Sequence, residues 1–345
     1  MKTTVFEKVG QVAIENVDKP TIQAEDDVII KVVRTCVCGS DLWAYRGLED
    51  KDDHSINSGH EAIGIVDSVG GNITTVKPGD FVIAPFTHGC GHCAACLAGF
   101  DGDCQSHDDN FSNGVQSEYV RFQHADWALI KVPGQPSDYS DEMLNSLLSL
   151  ADVMATGYHA ARVANVTTGD TVVVVGDGAV GLCGVIAAKM RGAKRIIAMS
   201  RHEDRQKLAT EFGATDIIAE RGDEAVEKVM ALTNNAGADA VLECVGTEQS
   251  NDTAMKVGRP GAIVGRVGLP HEPKMDMANS FYNNTIIAGG PASVTTYDKQ
   301  TLLKAVLDGD IHPGKVFTKA FSLDDIDEAY QAMTKREAIK SLIIV

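Results

Sequence analysis

One strand–glycine–helix–strand segment constrains the fold more than any other part of the chain. It contains a β-branched run at 171–175, a glycine turn at 176–181, a helical pattern at 179–191 and a second apolar run at 196–199. A short β-branched run favours a strand buried on both faces. Gly176 permits a tight turn, Gly178 lets backbone amides approach a pyrophosphate, and Gly181 permits close helix–strand packing. With the positive helix terminus at Ala179 and Val180, the segment predicts a dinucleotide-binding turn.

The end of the second strand of this segment bears on the choice of cofactor. NAD-binding folds place an acidic residue there, about twenty residues after the glycines, to accept from the ribose hydroxyls. This chain has Ser200, followed by Arg201 and His202. Ser200 does not repel a 2′-phosphate, and Arg201 can pair with one, which favours NADP over NAD. Arg205 is a further candidate, and the alternative is that Arg201 is only a solvated surface charge.

The two halves of the chain have different patterns. After residue 200 strands alternate with helices, which predicts a parallel sheet wound on both faces and therefore an α/β class. Before residue 150 short strands are separated by glycine and proline, which predicts a compact, mostly antiparallel β domain. From about residue 291 the pattern changes again, and we expect this last part to return to the first domain.

The composition limits the function classes. The 345 residues suffice for about two domains, and 44% hydrophobic residues is ordinary for a globular protein. The net charge of -17 argues against nucleic acid or an anionic membrane as the main partner. No apolar run reaches the ~18 residues of a membrane span, and the amino terminus lacks a signal-peptide pattern. We therefore expect a cytoplasmic protein.

Half of the eight cysteines cluster in one short segment, 90–104. They are Cys90, Cys93, Cys96 and Cys104. In a reducing compartment this clustering favours metal binding over disulfides. Four thiolates close a tetrahedral shell around one zinc and leave no open position, so the prediction is a structural zinc site. Because the shell is complete, we interpret the nearby histidines as bystanders: His88, His92 and His107.

Three other residues are candidate ligands that the local sequence leaves open. Cys38 and His60 could be zinc ligands on neighbouring loops, but the local sequence taken alone favours a buried thiol and a satisfied histidine. Asp152 lies among apolar residues, where a carboxylate is costly unless it is paired or metal-bound. A helix cap is the alternative for Asp152.

Taken together, these motifs resemble the zinc-dependent medium-chain alcohol dehydrogenases along nearly the whole chain. The matching segments are Cys38-Gly39-Ser40-Asp41, Gly59-His60-Glu61, the four clustered cysteines, Asp152 ahead of Thr156-Gly157-Tyr158, and the glycine turn. The resemblance implies a GroES-like catalytic domain at 1–154 with a return at 292–345, around a Rossmann domain at 155–291. It is nearest the bacterial secondary-alcohol branch, in which the third zinc ligand is aspartate.

The resemblance also implies roles for individual residues. Cys38, His60 and Asp152 would be the ligands of a catalytic zinc, in addition to the structural zinc. Glu61 would be a carboxylate that can approach the metal. Asp41 would orient His60, as carboxylates commonly do for metal-bound histidines.

The implied reaction is reversible hydride transfer between a primary or secondary alcohol, or its carbonyl product, and NADP. Ser40 would carry the proton away from the alcohol. Trp43 stands where many family members have a histidine that extends the proton relay, so the proton needs another exit. Three aromatic residues could line a substrate pocket or belong to the core: Trp43, Phe86 and Trp127.

Two other functions stay open at this point. One is an NAD-dependent polyol or amino-alcohol dehydrogenase of the same superfamily, and the other is a non-catalytic NADPH-binding relative. The resemblance implies a homodimer or a homotetramer.

Overall fold

The computed structural model describes residues 1–56, 58–106, 110–270, 277–292 and 296–345. His107 therefore lies outside the described residues. The chain divides into two compact units, which are Met1–Asp152 with Ser293–Val345, and Val153–Ala292.

The amino-terminal part is rich in short strands. Its elements are β1 (Lys2–Lys8), β2 (Gln11–Asn16), β3 (Val28–Val37), α1 (Asp41–Tyr45), β4 (Ala62–Val69), β5 (Phe81–Ala84), α2 (Ala94–Leu97), β6 (Tyr119–Phe122), α3 (Ala125–Ala128), β7 (Ile130–Val132) and α4 (Asp141–Ser149).

The middle part alternates helices with strands. Its elements are α5 (Val153–Val163), β8 (Thr171–Val175), α6 (Ala179–Met190), β9 (Arg195–Met199), α7 (Glu203–Phe212), β10 (Asp216–Ile218), α8 (Gly222–Leu232), β11 (Ala238–Glu243), α9 (Glu248–Val257), β12 (Gly258–Arg266), α10 (Met277–Asn283) and β13 (Ile286–Gly289). The last part contains α11 (Thr296–Leu307), β14 (Phe317–Ser322), α12 (Ile326–Thr334) and β15 (Lys340–Ile344).

The first unit is built on a mostly antiparallel sheet in the order β14-β15-β3-β4-β5-β7, with β6 also paired to β3. Only the β14–β15 pair of this sheet is parallel among the described strands. In the register of β3 and β4, Thr35 faces Ala62. The residues that follow β3 and those that precede β4 therefore meet at one edge of the sheet.

The carboxyl-terminal segment completes the core of the first unit. Ile326 and Tyr330 of α12 and Ile343 of β15 pack with Val37 and Leu42 from the amino-terminal part. All five side chains are at most 3% exposed. The last segment therefore belongs to the same hydrophobic core as β3, and its strand β15 lies directly beside β3.

The second unit has a six-stranded sheet in the order β10-β9-β8-β11-β12-β13. All of its strand pairs are parallel. This is the order of a doubly wound dinucleotide-binding sheet, in which ligands bind at the carboxyl ends of the strands where the order reverses. Here the reversal falls between β8 and β11. The predicted α/β class, with a GroES-like domain and a Rossmann sheet, is confirmed.

Asp152 lies in a break between two helices. The helical pattern from about residue 141 to 160 is two helices, α4 and α5, separated by 150–152. The Ala151 carbonyl accepts from the Phe86 amide at 2.9 Å, outside any helix. The break therefore presents Asp152 from a turn that is tied to the segment after β5.

Candidate active site and metal centres

The four clustered cysteines converge, and we call the segment 90–104 the cysteine lobe. Their sulfur atoms all lie within 4.8 Å of one another. The Cys90–Cys96 and Cys93–Cys104 sulfur pairs are 4.0 and 3.9 Å apart. A tetrahedral zinc with Zn–S bonds of ~2.3 Å needs sulfur atoms about 3.8 Å apart. All four cysteines are free thiols, so the donor set fits one zinc.

Backbone amides around the lobe stabilise thiolates. Cys93 caps the amino terminus of α2, and its sulfur accepts from the Cys96 amide at 3.5 Å and the Gln105 amide at 3.4 Å. The amides of Gln105 and Cys96 lower the pKa of Cys93 to about 6. Since zinc binds the thiolate form, the fold of this loop favours metal binding.

The histidines near the lobe have other contacts. The Nδ1 atom of His92 lies 2.9 Å from the Cys90 carbonyl oxygen, and the ring is exposed. His88 is buried, and its ring packs against Phe122 with centroids 5.1 Å apart. Neither belongs to the group of donors that converges in the lobe.

A second group of donors, which we call the mixed cluster, consists of Cys38, His60, Glu61 and Asp152. Its potential ligand atoms also lie within 4.8 Å of one another. Asp152 Oδ2 is 3.5 Å from Cys38 Sγ and 3.4 Å from His60 Nε2. Cys38 follows β3, His60 and Glu61 precede β4, and Asp152 lies between α4 and α5. Three separate segments therefore supply one site.

The electrostatics of the mixed cluster favour a cation. Burial alone would lower the pKa of His60, but Asp152 and Cys38 outweigh it and raise that pKa well above its ordinary value. Thiolate, imidazole and carboxylate are the ligand types of zinc, and catalytic zinc sites use three protein ligands and keep one position open. The donor chemistry of the cluster therefore fits a catalytic zinc, whereas the cysteine lobe fits a closed one.

Asp41 lies behind His60 and is itself held in place. Its Oδ1 is 3.6 Å from His60 Nδ1, and its Oδ2 accepts from the Cys38 amide at 2.8 Å. The buried Gln116 side chain donates to Asp41 at 3.3 Å and accepts from the Tyr330 hydroxyl at 2.9 Å. Gln116 and Tyr330 carry no sequence signal for this network, because their partners are distant along the chain.

Glu61 forms an ion pair with Lys340, which sequence reasoning missed. Lys340 Nζ is 2.6 Å from Glu61 Oε1, and both side chains are 1% exposed. Burial disfavours the Lys340 ammonium, but the surrounding negative charges, including Glu61, raise its pKa well above its usual range. Glu61 Oε2 is buried and has no hydrogen-bond partner among the described residues. The one signal in the sequence is a lysine at the start of the apolar strand β15.

Ser40 and Phe86 both lie next to residues of the mixed cluster, Ser40 along the chain and Phe86 through ring packing. Ser40 is half-buried, two residues beyond Cys38, and it is the N-cap residue of α1, where its side chain makes no capping hydrogen bond. The Phe86 ring packs edge-on against His60, with centroids 5.9 Å apart. Trp127 instead donates to Asp101 near the cysteine lobe at 3.1 Å. The three aromatic candidates thus do not share one environment.

The glycine turn has the geometry of a dinucleotide-binding turn. Gly176 has φ +115° and Gly178 is the N-cap of α6, which begins with Ala179 and Val180. A Cβ at Gly181 would lie 2.1 Å from the Gly176 carbonyl oxygen. A Cβ at Gly178 would meet no described atom within 4 Å, so there is open space beside this residue at the start of the helix. The turn therefore fits a pyrophosphate.

The residues that follow β9 contact the glycine turn. The Ser200 hydroxyl donates to Asp177 Oδ2 at 2.9 Å. Arg205 donates to Asp177 Oδ1 at 3.1 Å and to its carbonyl at 3.2 Å. Arg201 is exposed, and His202 is the N-cap residue of α7. Asp177 is thus a further charged residue here, and its partners Ser200 and Arg205 lie too far along the chain for a local pattern to indicate them.

The charge state of Asp177 follows from these contacts. Burial favours the neutral acid, but the Ser200 hydrogen bond and the Arg205 charge outweigh it and hold the Asp177 pKa below its ordinary value. The residue therefore carries a negative charge at neutral pH.

The chain combines a doubly wound sheet, a pyrophosphate turn and two zinc-type donor clusters. Together these features are typical of metal-containing, nicotinamide-dependent dehydrogenases. Two family models match the chain, the alcohol dehydrogenase GroES-like domain at 24–134 and the zinc-binding dehydrogenase at 179–306. The zinc-type alcohol dehydrogenase B of Aspergillus flavus is 34% identical over 88% of this chain and 72% of its own. The chain belongs to the zinc-dependent alcohol dehydrogenase family of medium-chain dehydrogenases.

Two further relatives cover almost the whole chain. The NADP-dependent isopropanol dehydrogenase of Clostridium beijerinckii is 30% identical over 92% of this chain and 93% of its own. The solved structure of alcohol dehydrogenase TADH from Thermus sp. ATN1 is 30% identical, covers both chains completely and superposes with a TM-score of 0.89. Within the described residues, every helix is too short or too polar to traverse a lipid bilayer.

Proposed function

We propose that this chain transfers a hydride reversibly between a primary or secondary alcohol and NADP, with one catalytic and one structural zinc. The observation that carries the proposal is the convergence of the Cys38, His60, Glu61 and Asp152 ligand atoms within 4.8 Å. Membership of the zinc-dependent alcohol dehydrogenase family supports the reaction class.

In this proposal Cys38, His60 and Asp152 hold the catalytic zinc, and Glu61 is a nearby carboxylate. Zinc supplies Lewis-acid polarisation of a substrate oxygen and lowers the pKa of the attached proton. One thiolate, one carboxylate and a neutral imidazole balance the two charges of the ion. Asp41 holds the His60 ring in the orientation in which Nε2 faces Cys38 and Asp152.

Ser40 takes the proton of the substrate hydroxyl. Its hydroxyl is not used to cap α1, and the residue lies two positions beyond Cys38, which supports this role. A nicotinamide cofactor held at the glycine turn would supply the acceptor for the hydride from the carbon that bears the hydroxyl. Since Trp43 occupies the position of the usual relay histidine, we propose that water carries the proton from Ser40 to solvent.

The cofactor assignment rests on the end of β9. Ser200, Arg201 and His202 supply a hydroxyl, a guanidinium and an imidazole where NAD-binding folds have an acidic residue. The name of the Clostridium relative, an NADP-dependent isopropanol dehydrogenase, supports NADP and a secondary alcohol. A specific observation favours the NAD-dependent alternative: the Asp177 carboxylate contacts Ser200.

The cysteine lobe is proposed to hold the structural zinc. Four thiolates leave no open coordination position, so a metal there stabilises the loop and does not act on substrate.

A panel of primary, secondary and polyhydric alcohols with NAD and NADP tests the proposal. We expect the highest kcat/KM with a secondary alcohol and NADP, two zinc ions per chain, and loss of turnover on chelation that zinc restores. Preference for a polyol with NAD would favour the rival dehydrogenase. One zinc per chain and no turnover with any alcohol would favour the non-catalytic relative.

A further inference from the structure

The glycine turn contributes a carboxylate to the end of β9. Asp177 lies between Gly176 and Gly178, and its Oδ2 accepts from the Ser200 hydroxyl at 2.9 Å. Its Oδ1 accepts from Arg205 at 3.1 Å, and the Asp177 and Arg205 side chains are each 14% exposed. The contact is therefore sheltered from solvent, where charge interactions are screened less than at the surface.

This carboxylate lies where the ribose of the cofactor is recognised. In doubly wound folds the residue at the end of the second strand of the sheet contacts the adenosine ribose. That residue is Ser200, and Asp177 lies within hydrogen-bond distance of its hydroxyl. The second strand has no acidic residue at this position, but the glycine turn supplies one.

The contact between Asp177 and Ser200 also affects how a 2′-phosphate, the group that distinguishes NADP from NAD, would bind. Such a group carries a charge of about -1.5 to -2 and is bound through hydroxyl and guanidinium donors. Ser200 and Arg205 are such donors beside the exposed Arg201, and both already donate to Asp177. A 2′-phosphate has to displace Asp177 from these donors and meets its negative charge, whereas a ribose hydroxyl can donate to it.

We propose that Asp177 determines cofactor selectivity, opposing the 2′-phosphate of NADP and allowing NAD to bind beside it. The inference rests on the proposed function for its biological meaning, since it concerns the cofactor of that reaction. Asp177 thereby limits the preference that Ser200, Arg201 and Arg205 create for NADP.

The test uses two nucleotides that differ only in the 2′-phosphate, adenosine 2′,5′-bisphosphate and 5′-AMP, with Kd measured by calorimetry on the full chain. In Asp177→Asn we expect the ratio of the 5′-AMP Kd to the bisphosphate Kd to rise about tenfold, because a nearby like charge is removed. Arg205→Gln should lower the same ratio. Asp177→Ser provides a second variant should the asparagine variant fold poorly.

The matched control is Asp216→Asn. Asp216 also pairs with an arginine, Arg195, at 2.8 Å, but both residues begin their strands and so lie at the opposite edge of the sheet. We expect an unchanged ratio in this variant. An unchanged or lower ratio in both Asp177 variants would overturn the inference.

The binding readout separates this inference from the proposed function. If the chain oxidises no alcohol but the ratio shifts as expected, the proposed reaction fails and the role of Asp177 stands. If the chain is an active dehydrogenase and the ratio does not move, the role of Asp177 fails alone.

Discussion

The cysteine lobe and the mixed cluster are both groups of four zinc-type donors, but they are assembled in opposite ways. The lobe takes all of its donors from the segment 90–104, and backbone amides of the same segment support the sulfur atoms. The mixed cluster takes its donors from three segments, and residues from further parts of the chain support it: Asp41, Gln116, Tyr330 and Lys340.

The difference indicates how each site depends on the fold. A local site can organise a loop that has little core of its own, so its metal contributes to folding. A site assembled from distant segments depends on the folded core that positions them, and its metal is free to serve chemistry. Substitutions in the lobe should therefore lower mainly stability, and substitutions of the mixed-cluster ligands should lower mainly turnover.

The largest expected effect is on turnover in His60→Ala. Loss of one of three protein ligands should lower kcat/KM by at least ~10³-fold, about 4 kcal/mol of transition-state stabilisation. Zinc content should fall from two per chain to one. Steady-state kinetics and metal analysis of the purified variant measure both quantities.

The matched control for His60→Ala is His92→Ala, since His92 lies beside the lobe but outside both donor groups. It should retain two zinc ions and nearly full turnover. Normal turnover in a His60→Ala preparation that holds one zinc per chain would refute the catalytic role of the mixed cluster.

The next largest effect is on stability in Lys340→Met. This change leaves the buried Glu61 carboxylate unpaired, which should cost roughly 3–5 kcal/mol. Denaturant unfolding followed by circular dichroism measures the loss. Adding Glu61→Gln in the same chain should recover much of it, because no charge is then left buried.

Lys319→Met is the control for Lys340→Met. Lys319 lies on the adjacent strand β14 and pairs with Glu337 at 2.8 Å, but the two side chains are 41% and 53% exposed. An exposed pair contributes about 0–1 kcal/mol. Equal losses in the two lysine variants would mean that the mixed cluster is not supported by its buried ion pair.

A smaller effect is expected for Cys104→Ser, and in contrast to His60→Ala it should fall on stability and not on turnover. Loss of a lobe ligand should remove one zinc and destabilise the fold by roughly 2–4 kcal/mol, while kcat of the folded enzyme at 25 °C changes little. Thermal unfolding and kinetics on the same preparation measure the two together. Cys183→Ala, a buried thiol in α6 outside both donor groups, should keep both zinc ions. A large loss of kcat without loss of stability would reverse the roles of the sites.

The same contrast between local and distant contacts explains what the sequence could predict. The strands β8 and β9 lie at the predicted positions, because their patterns are properties of short segments. The cysteine spacing likewise predicted one shared site. Local sequence leaves the ligands of the mixed cluster undecided, since no local rule brings Cys38 to Asp152, and only the family resemblance joins them.

The supporting residues were beyond prediction for a physical reason. Lys340 matters because β15 pairs with β3, and Asp177 matters because α7 returns Arg205 to the glycine turn. Both contacts depend on strand order and register, which hydrophobic patterns do not specify. A buried charge in an apolar strand is the feature that could have identified Lys340.

The smallest effect is expected for Trp127→Phe. This variant tests whether Trp127 supports the cysteine lobe or contacts the substrate. The Trp127 indole donates to Asp101 at 3.1 Å, and Asp101 is 2% exposed with Lys299 at 3.6 Å on the same oxygen. Removing the indole donor while keeping an aromatic ring should cost about 1 kcal/mol of stability. It should leave KM for alcohols unchanged, because the side chain supports the lobe. Trp43→Phe, close to Ser40 in α1, should instead alter KM. A tenfold rise in KM in Trp127→Phe would show that this tryptophan contributes to substrate binding. It would contradict the conclusion that the lobe serves only stability.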